Sequence, residues 1–208
     1  MKNIYILLVS LILVALTSCQ GSDNDYKTMV VKNRIASFSF EYRSYYRDKE
    51  GPDIVERPDF QYAYVYMLTR AKERTMANPE PGGKGKPVAM SYVPASIHIL
   101  VDNKFLLHSK YSPTAHERIE NSISSWSKWK HFKLMERSKV MVAGIEAELI
   151  AYEIDSIFSS WPLEYCVEIA FDHEGLCWEI EATSRDPELH EVVRQDVEHL
   201  IATFKILE

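Results

Sequence analysis

The stretch EYCVEIAFDHEGLCWEIEATSRDPELHEVVRQDVEHLIATF, residues 164 to 204, decides the fold. Tyr165, Val167, Ile169 and Phe171 alternate with Cys166, Glu168 and Ala170. After Asp172-His173-Glu174-Gly175 the alternation resumes at Leu176, Trp178, Ile180 and Ala182. Apolar residues at period two on both sides of a turn predict a half-buried antiparallel hairpin. Only an even-numbered loop puts both apolar sets on one face, because a one-residue slip turns every side chain over. A four-residue type I loop, with Asp172 and Gly175 at its ends, sets Phe171 opposite Leu176, Ile169 opposite Trp178 and Val167 opposite Ile180. Asp186-Pro187 then opens a helix. Leu189, Val192, Val193, Val197, Leu200, Ile201 and Phe204 fall at three-four spacing, so its apolar face roofs the sheet.

The same register brings Glu168 opposite Glu179, with Glu181 nearby. Opposed like charges are mildly destabilising. A cation or a basic neighbour is therefore expected there, on a solvated face or at a metal or partner site. Cys166 and Cys177 lie about five positions apart along the ladder and face away from the core set. That is beyond the ~7 Å reach of a disulfide, so both read as free thiols. Two cysteines alone do not make a zinc site.

Moving towards the N-terminus, Phe132 to Val142 and Ile145 to Ile154 read as a second hairpin about Ala143-Gly144, with Val142 against Ile145 and Lys139 against Glu148. Ser112 and Pro113 read as the cap and first turn of a helix whose Ile119, Ile123, Trp126 and Trp129 share a buried face. Ala95 to Val101 is a strand. Lys72 to Pro94 holds Pro79, Pro81, Gly82, Gly83, Gly85 and Pro87, a density of turn formers that breaks helix and strand. Such a long loop is either functional or disordered. Gln61 to Leu68 alternates Tyr62, Tyr64 and Tyr66 with Ala63, Val65 and Met67. It reads as a central strand whose tyrosine row is a core ladder or a stacking platform for a sugar or peptide. Gly51-Pro52 to Pro58 reads as irregular. Met29 to Val31 and Phe38 to Tyr42 are the first two strands, with Tyr45 and Tyr46 in the turn that follows. Gly21 to Asp25 is too poor in apolar residues to pack. A β-rich chain with two helices placed in this order is α+β, an antiparallel sheet with helices packed on it.

Lys2 followed by the apolar run Ile4 to Leu16 reads as a secretory leader, too short to span a bilayer. Leu16-Thr17-Ser18-Cys19 resembles the lipobox of bacterial lipoproteins. That resemblance implies a diacylglyceryl thioether on Cys19 and a further acyl chain, of the palmitate class, on its freed amine. Several chains, at about 0.8 kcal/mol per buried methylene, hold a protein firmly on a membrane. The division expected is residues 1–18 as leader, 19–28 as tether and 29–208 as the globular domain. The domain would sit on the outer face of a cell membrane or on an outer membrane.

The formal charge of −6 becomes −7 once Lys2, the one charge in residues 1–18, is removed. No basic stripe is present, so nucleic acid is not an expected partner. His116-Glu117 and His190-Glu191 begin a zincin-like motif, but Glu120 and Arg194 stand where the second histidine belongs. His190 and Glu191 read as a solvated helix face. No Gly-x-Ser-x-Gly elbow occurs. The sequence therefore gives no catalytic residues, metal or cofactor.

The Phe38-Ser39-Phe40-Glu41-Tyr42 strand, the Val142-Ala143-Gly144 turn, the long hairpin and the ending Ile201-Ala202-Thr203-Phe204-Lys205-Ile206 together resemble the PsbP-like family over residues 29–208. Arg43-Ser44-Tyr45 departs from that family's pattern by keeping an aromatic without the proline. The resemblance implies an α/β/α sandwich, and it implies a non-enzymatic binding or assembly module whose partner is an envelope protein or ligand. The alternatives are an envelope hydrolase with an acidic site at Glu168, Glu179 and Glu181, or a carrier of lipid or another small ligand. The candidate binding residues are those three glutamates with Tyr62, Tyr64 and Tyr66; Cys19 is the lipidation site.

Overall fold

The computed structural model describes residues 25–32, 35–46, 53–57, 62–69, 72–76, 88–103, 114–129, 131–154 and 163–208. Its strands are β1 Tyr26–Lys32, β2 Ser37–Arg43, β3 Asp53–Arg57, β4 Tyr62–Leu68, β5 Lys72–Met76, β6 Val88–Tyr92 and β7 Ala95–Asn103. Helix α1, Ala115–Trp126, follows, then β8 Lys133–Val142, β9 Ile145–Ile154, β10 Glu164–His173 and β11 Leu176–Ser184. A 3₁₀ turn, Pro187–Leu189, leads into α2, His190–Thr203, and the chain closes with β12, Lys205–Leu207.

Seven antiparallel strands form the main sheet in the order β3-β4-β7-β11-β10-β9-β8, with the hairpin β10–β11 near its centre. β1, β2 and β12 form a second sheet, and β5 and β6 a separate ribbon. One face of the main sheet carries Ile97, Ile99, Val167, Ile169, Phe171, Trp178 and Ile180. It packs against Phe38 and Phe40 of β2 and against Val193, Val197, Leu200 and Phe204 at α2. Trp178 is 1% exposed and Val167 3%, so the hairpin's apolar side is roofed by the last helix as its spacing requires. The indole of Trp178 meets Phe38 edge-on at 5.4 Å and stacks on Phe171 at 5.6 Å, geometries that add to the area they bury. The opposite face is covered by α1, whose Ala115 and Ile119 bury Ile150, Tyr152, Ile154, Cys166 and Ala170. The result is an α+β sandwich with the main sheet in the middle layer.

The hairpin keeps the expected faces but not the expected rungs. Glu174 (φ 48°) and Gly175 (φ 77°) both take left-handed backbone, and His173 pairs with Leu176. The loop is thus a two-residue turn of the I′ kind, whose twist matches the flanking strands. Each partner moves by two: Trp178 faces Phe171, and Glu168 faces Glu181 rather than Glu179. The second hairpin has the register read from sequence, Val142 opposite Ile145 and Lys139 opposite Glu148, about Ala143 (φ 51°) and Gly144 (φ 81°). Lys139 nevertheless turns to Glu146, at 2.5 Å.

Several segments read as irregular are strands. β3 occupies residues 53–57 as the edge beside β4. β5 and β6 pair across the ends of the Lys72–Pro94 stretch, and Pro79, Pro81, Gly82, Gly83, Gly85 and Pro87 fall within 77–87, outside the described residues. Lys72 is tied to Asp186 at 2.9 Å. β1 begins at Tyr26, inside the stretch read as tether, because Tyr26, Lys27 and Thr28 continue the pairing with β2. The α1 cap is Thr114 rather than Ser112. Of the four residues read on its buried face, Ile119 is fully buried and Ile123 and Trp126 partly so, while Trp129 beyond the helix end is exposed. Asp186 does accept the Glu188 N–H, at 3.1 Å, but it caps the 3₁₀ turn and α2 itself starts at His190.

Candidate functional site

Strand alternation puts Glu168 of β10, Glu179 and Glu181 of β11 and Asp102 of β7 on the face that α1 half covers. What fixes α1 there is local. Thr114 Oγ1 accepts the Glu117 N–H at 3.2 Å, and Glu117 Oε2 accepts the Thr114 N–H at 2.8 Å, a reciprocal capping box. The Ala115 N–H donates to Asp172 Oδ1 at 3.1 Å, anchoring the helix start to the end of β10. Thr114→Ala is expected to cost about 1 kcal/mol, read as a lower urea midpoint at unchanged slope. An unchanged midpoint would show that the Asp172 contact alone sets the helix.

From the first turn of α1, Arg118 reaches down to the sheet. Its Nη1 donates to Glu179 Oε2 and its Nη2 to Asp102 Oδ2, each at 2.5 Å. This is the basic neighbour the sequence required, though it serves Glu179 and Asp102 rather than the directly opposed pair. Burial pushes the Glu179 carboxyl up, with Arg118 working against it. Glu181 is pushed up to about 7, first by burial and then by Glu168 and Glu179. Glu168 lies deeper: it is 4% exposed, and its Oε1 accepts the Tyr152 hydroxyl. On the next strand His98 sits opposite Glu181, held down at about 4 by burial and by the Arg185 charge. Burial pushes the Cys177 thiol up to about 11, against the pull of Arg118, and Cys166 higher still. Both thiols are buried and free.

The structure brings the three glutamates together, but beneath a helix rather than on a freely solvated face. β4 places Tyr62, Tyr64 and Tyr66 at the rungs opposite Asp102, Leu100 and His98. Their side chains, like Cys19, lie outside the described residues. His116 pairs with Glu148 at 2.7 Å. His190 is not on a solvated face: it is half-buried, with its ring stacked on Tyr165 at 5.3 Å. Among the described residues, no three His, Cys, Asp or Glu side chains are placed to hold a metal ion, and no helix is long and apolar enough to cross a membrane.

Two groups escaped the sequence reading. Arg118 meets Glu179 across 61 positions, which no local pattern reveals. The second is the Asp196 cluster. Arg43 Nε pairs with Asp196 Oδ1 at 2.5 Å, and the Tyr45 and Tyr46 hydroxyls both donate to Oδ2, that of Tyr46 at 3.1 Å. Asp196 stands inside the apolar stripe Val193, Val197 and Leu200, and an acid in that position was the available signal.

No family model and no curated protein matches the chain. Solved structures do. The mycobacterial LpqN, described as involved in cell envelope biogenesis of Mycobacterium tuberculosis, is 11% identical with a TM-score of 0.42, over 89% of this chain and 94% of that one. CyanoP, the cyanobacterial PsbP of Synechocystis, is 8% identical with a TM-score of 0.44, over 91% and 97%. The Saccharomyces cerevisiae Ran-binding protein Mog1p is 10% identical with a TM-score of 0.51, over 88% and 96%. At such identities a likeness speaks for architecture alone, and the one to Mog1p, with its TM-score of 0.51, shows that the chain shares an α+β fold with that protein.

Proposed function

We propose that this chain is a non-enzymatic binding or assembly module of the cell envelope, exported and held at a membrane surface by acyl chains on Cys19. The observation that carries the binding reading is the fork of Arg118 between Glu179 and Asp102. That fork holds helix to sheet and leaves Glu168 and Glu181 beside it on the same face, opposed and with no ion-pair partner among the described residues, which suits a cationic ligand or partner. The anchor is supported by the Leu16-Thr17-Ser18-Cys19 stretch and by its spacing from the domain. Six residues lie between Cys19 and Tyr26, seven steps of chain with a reach of at most about 25 Å, which would keep the start of β1 close to the lipid headgroups.

A carrier of a small apolar ligand has one observation in its favour. A cavity of about 90 Å³ lies between α2 and β8–β10, floored by Val140, Leu149 and Val167. It is several times smaller than the ~300 Å³ at which ligand pockets begin, so it suits a short apolar group rather than a whole lipid.

In the Cys19→Ala chain the protein is expected to leave the membrane pellet for the soluble fraction after a carbonate wash. Retention in the pellet would remove the lipid anchor from this reading.

A further inference from the structure

Glu168 and Glu181 face each other directly across β10 and β11. Among the described residues, neither is ion-paired with a Lys, Arg or His side chain. Glu168 Oε2 is buried and has no hydrogen-bond partner, although the residue is 4% exposed. Among the described residues, Glu181 accepts a single long bond, from the Thr183 hydroxyl at 3.4 Å, and it is half-buried, so that side of the pair is the more open one. Two opposed carboxylates with a buried, unmet oxygen are costly to keep.

A template for what they lack stands beside them. Glu179 and Asp102, on the same face, have one guanidinium between them, supplied by α1. A planar fork with fixed donors matches two converging carboxylates better than a point charge does. The second carboxylate pair repeats the demand, and no Lys, Arg or His side chain among the described residues supplies the cation.

We propose that Glu168 and Glu181 form a receptor for a guanidinium group carried by a ligand, with Glu168 Oε2 as the inner acceptor and Glu181 as the outer one. Tyr152 holds the inner carboxylate and Thr183 the outer. This deepens the binding-module reading and rests on it for its purpose, but it does not depend on the anchor at Cys19.

The test uses the full chain in a non-ionic detergent at pH 8 and constant ionic strength, titrated with methylguanidinium and, separately, with methylammonium. A saturable rise in thermal midpoint is expected with methylguanidinium, about 3–6 °C at tenfold over its dissociation constant, and a smaller one with methylammonium. Glu181→Gln, which removes a repulsion and so still folds, is expected to abolish the rise, and Glu168→Gln likewise. No rise in the parent chain overturns the proposal. An equal rise in Glu181→Gln, or equal responses to the two cations, also overturns it. A negative titration with Cys19→Ala still released from membranes refutes the receptor and leaves the anchored module standing.

Discussion

Asp196→Ala is expected to lower the thermal midpoint by about 6–20 °C, the equivalent of about 3–5 kcal/mol for removing one partner of a buried ion pair in a chain of this size. Asp196 is 4% exposed; it is ion-paired with the Arg43 guanidinium and accepts the hydroxyls of Tyr45 and Tyr46. Alanine would remove the buried carboxylate that faces the Arg43 guanidinium and accepts both hydroxyls, and the desolvation of those groups would lose that compensation. The loss should be global, because the cluster ties the end of β2 to α2 and so joins the small sheet to the helix over the core. Asp196→Asn keeps an acceptor for a tyrosine but loses the charge, and it should fall between the parent and the alanine variant. Calorimetry in which Asp196→Ala melts within 2 °C of the parent would refute this account of the cluster.

Glu181→Gln should act in the opposite direction, stabilising the fold at pH 8 by roughly 1–3 kcal/mol. The carboxyl of Glu181 moves from its ordinary 4.5 to about 7 in the folded chain, through burial and then the charges of Glu168 and Glu179. Between those two values the folded state binds more protons than the unfolded one. Stability therefore falls as pH rises from 4.5 to 7, and the penalty is fully present above 7. Glutamine carries no titrating proton, so the difference between parent and variant should be large at pH 8 and vanish near pH 4. Among the described residues, the groups that face Glu181 are Glu168, Glu179, Glu164, Cys166, Tyr152 and the Thr183 hydroxyl, with His98 opposite on the neighbouring strand. Urea titrations of both chains across that range give the comparison; a difference that is flat with pH would show that Glu181 titrates as it does in water.

Much of this architecture could be read directly from residues, and the divisions are physical. Parity of the Glu164–Ser184 hairpin follows from which side chains are oily, so Trp178 and Val167 were placed correctly. The length of its loop follows from the backbone angles of Glu174 and Gly175, which the oily pattern does not constrain, so the rungs slipped by two. β3, β5 and β6 were missed because glycine and proline beside them outweighed short runs such as Asp53–Arg57 and Val88–Tyr92, where pairing with a neighbour supplies the order. The α1 start is legible: Thr114 and Glu117 spell a capping box three residues apart, two positions beyond Ser112, which with Pro113 also looks like a helix start. At the site, Glu168, Glu179 and Glu181 were visible as alternates on one side of a hairpin. The helix that covers them was not, because Arg118 and Tyr152 join them through contacts distant in sequence, and a half-apolar helix face does not say which side of a sheet it will choose.

Cys166 and Cys177 stand opposite Thr183 and Asp172, six positions apart along β10, or roughly 20 Å. With both thiols sealed beneath the helix side of the sheet and held protonated at neutral pH, thiol exchange has no nucleophile to start from. Once folded, the domain is thus held without a disulfide, and its thermal midpoint should be the same with and without reductant.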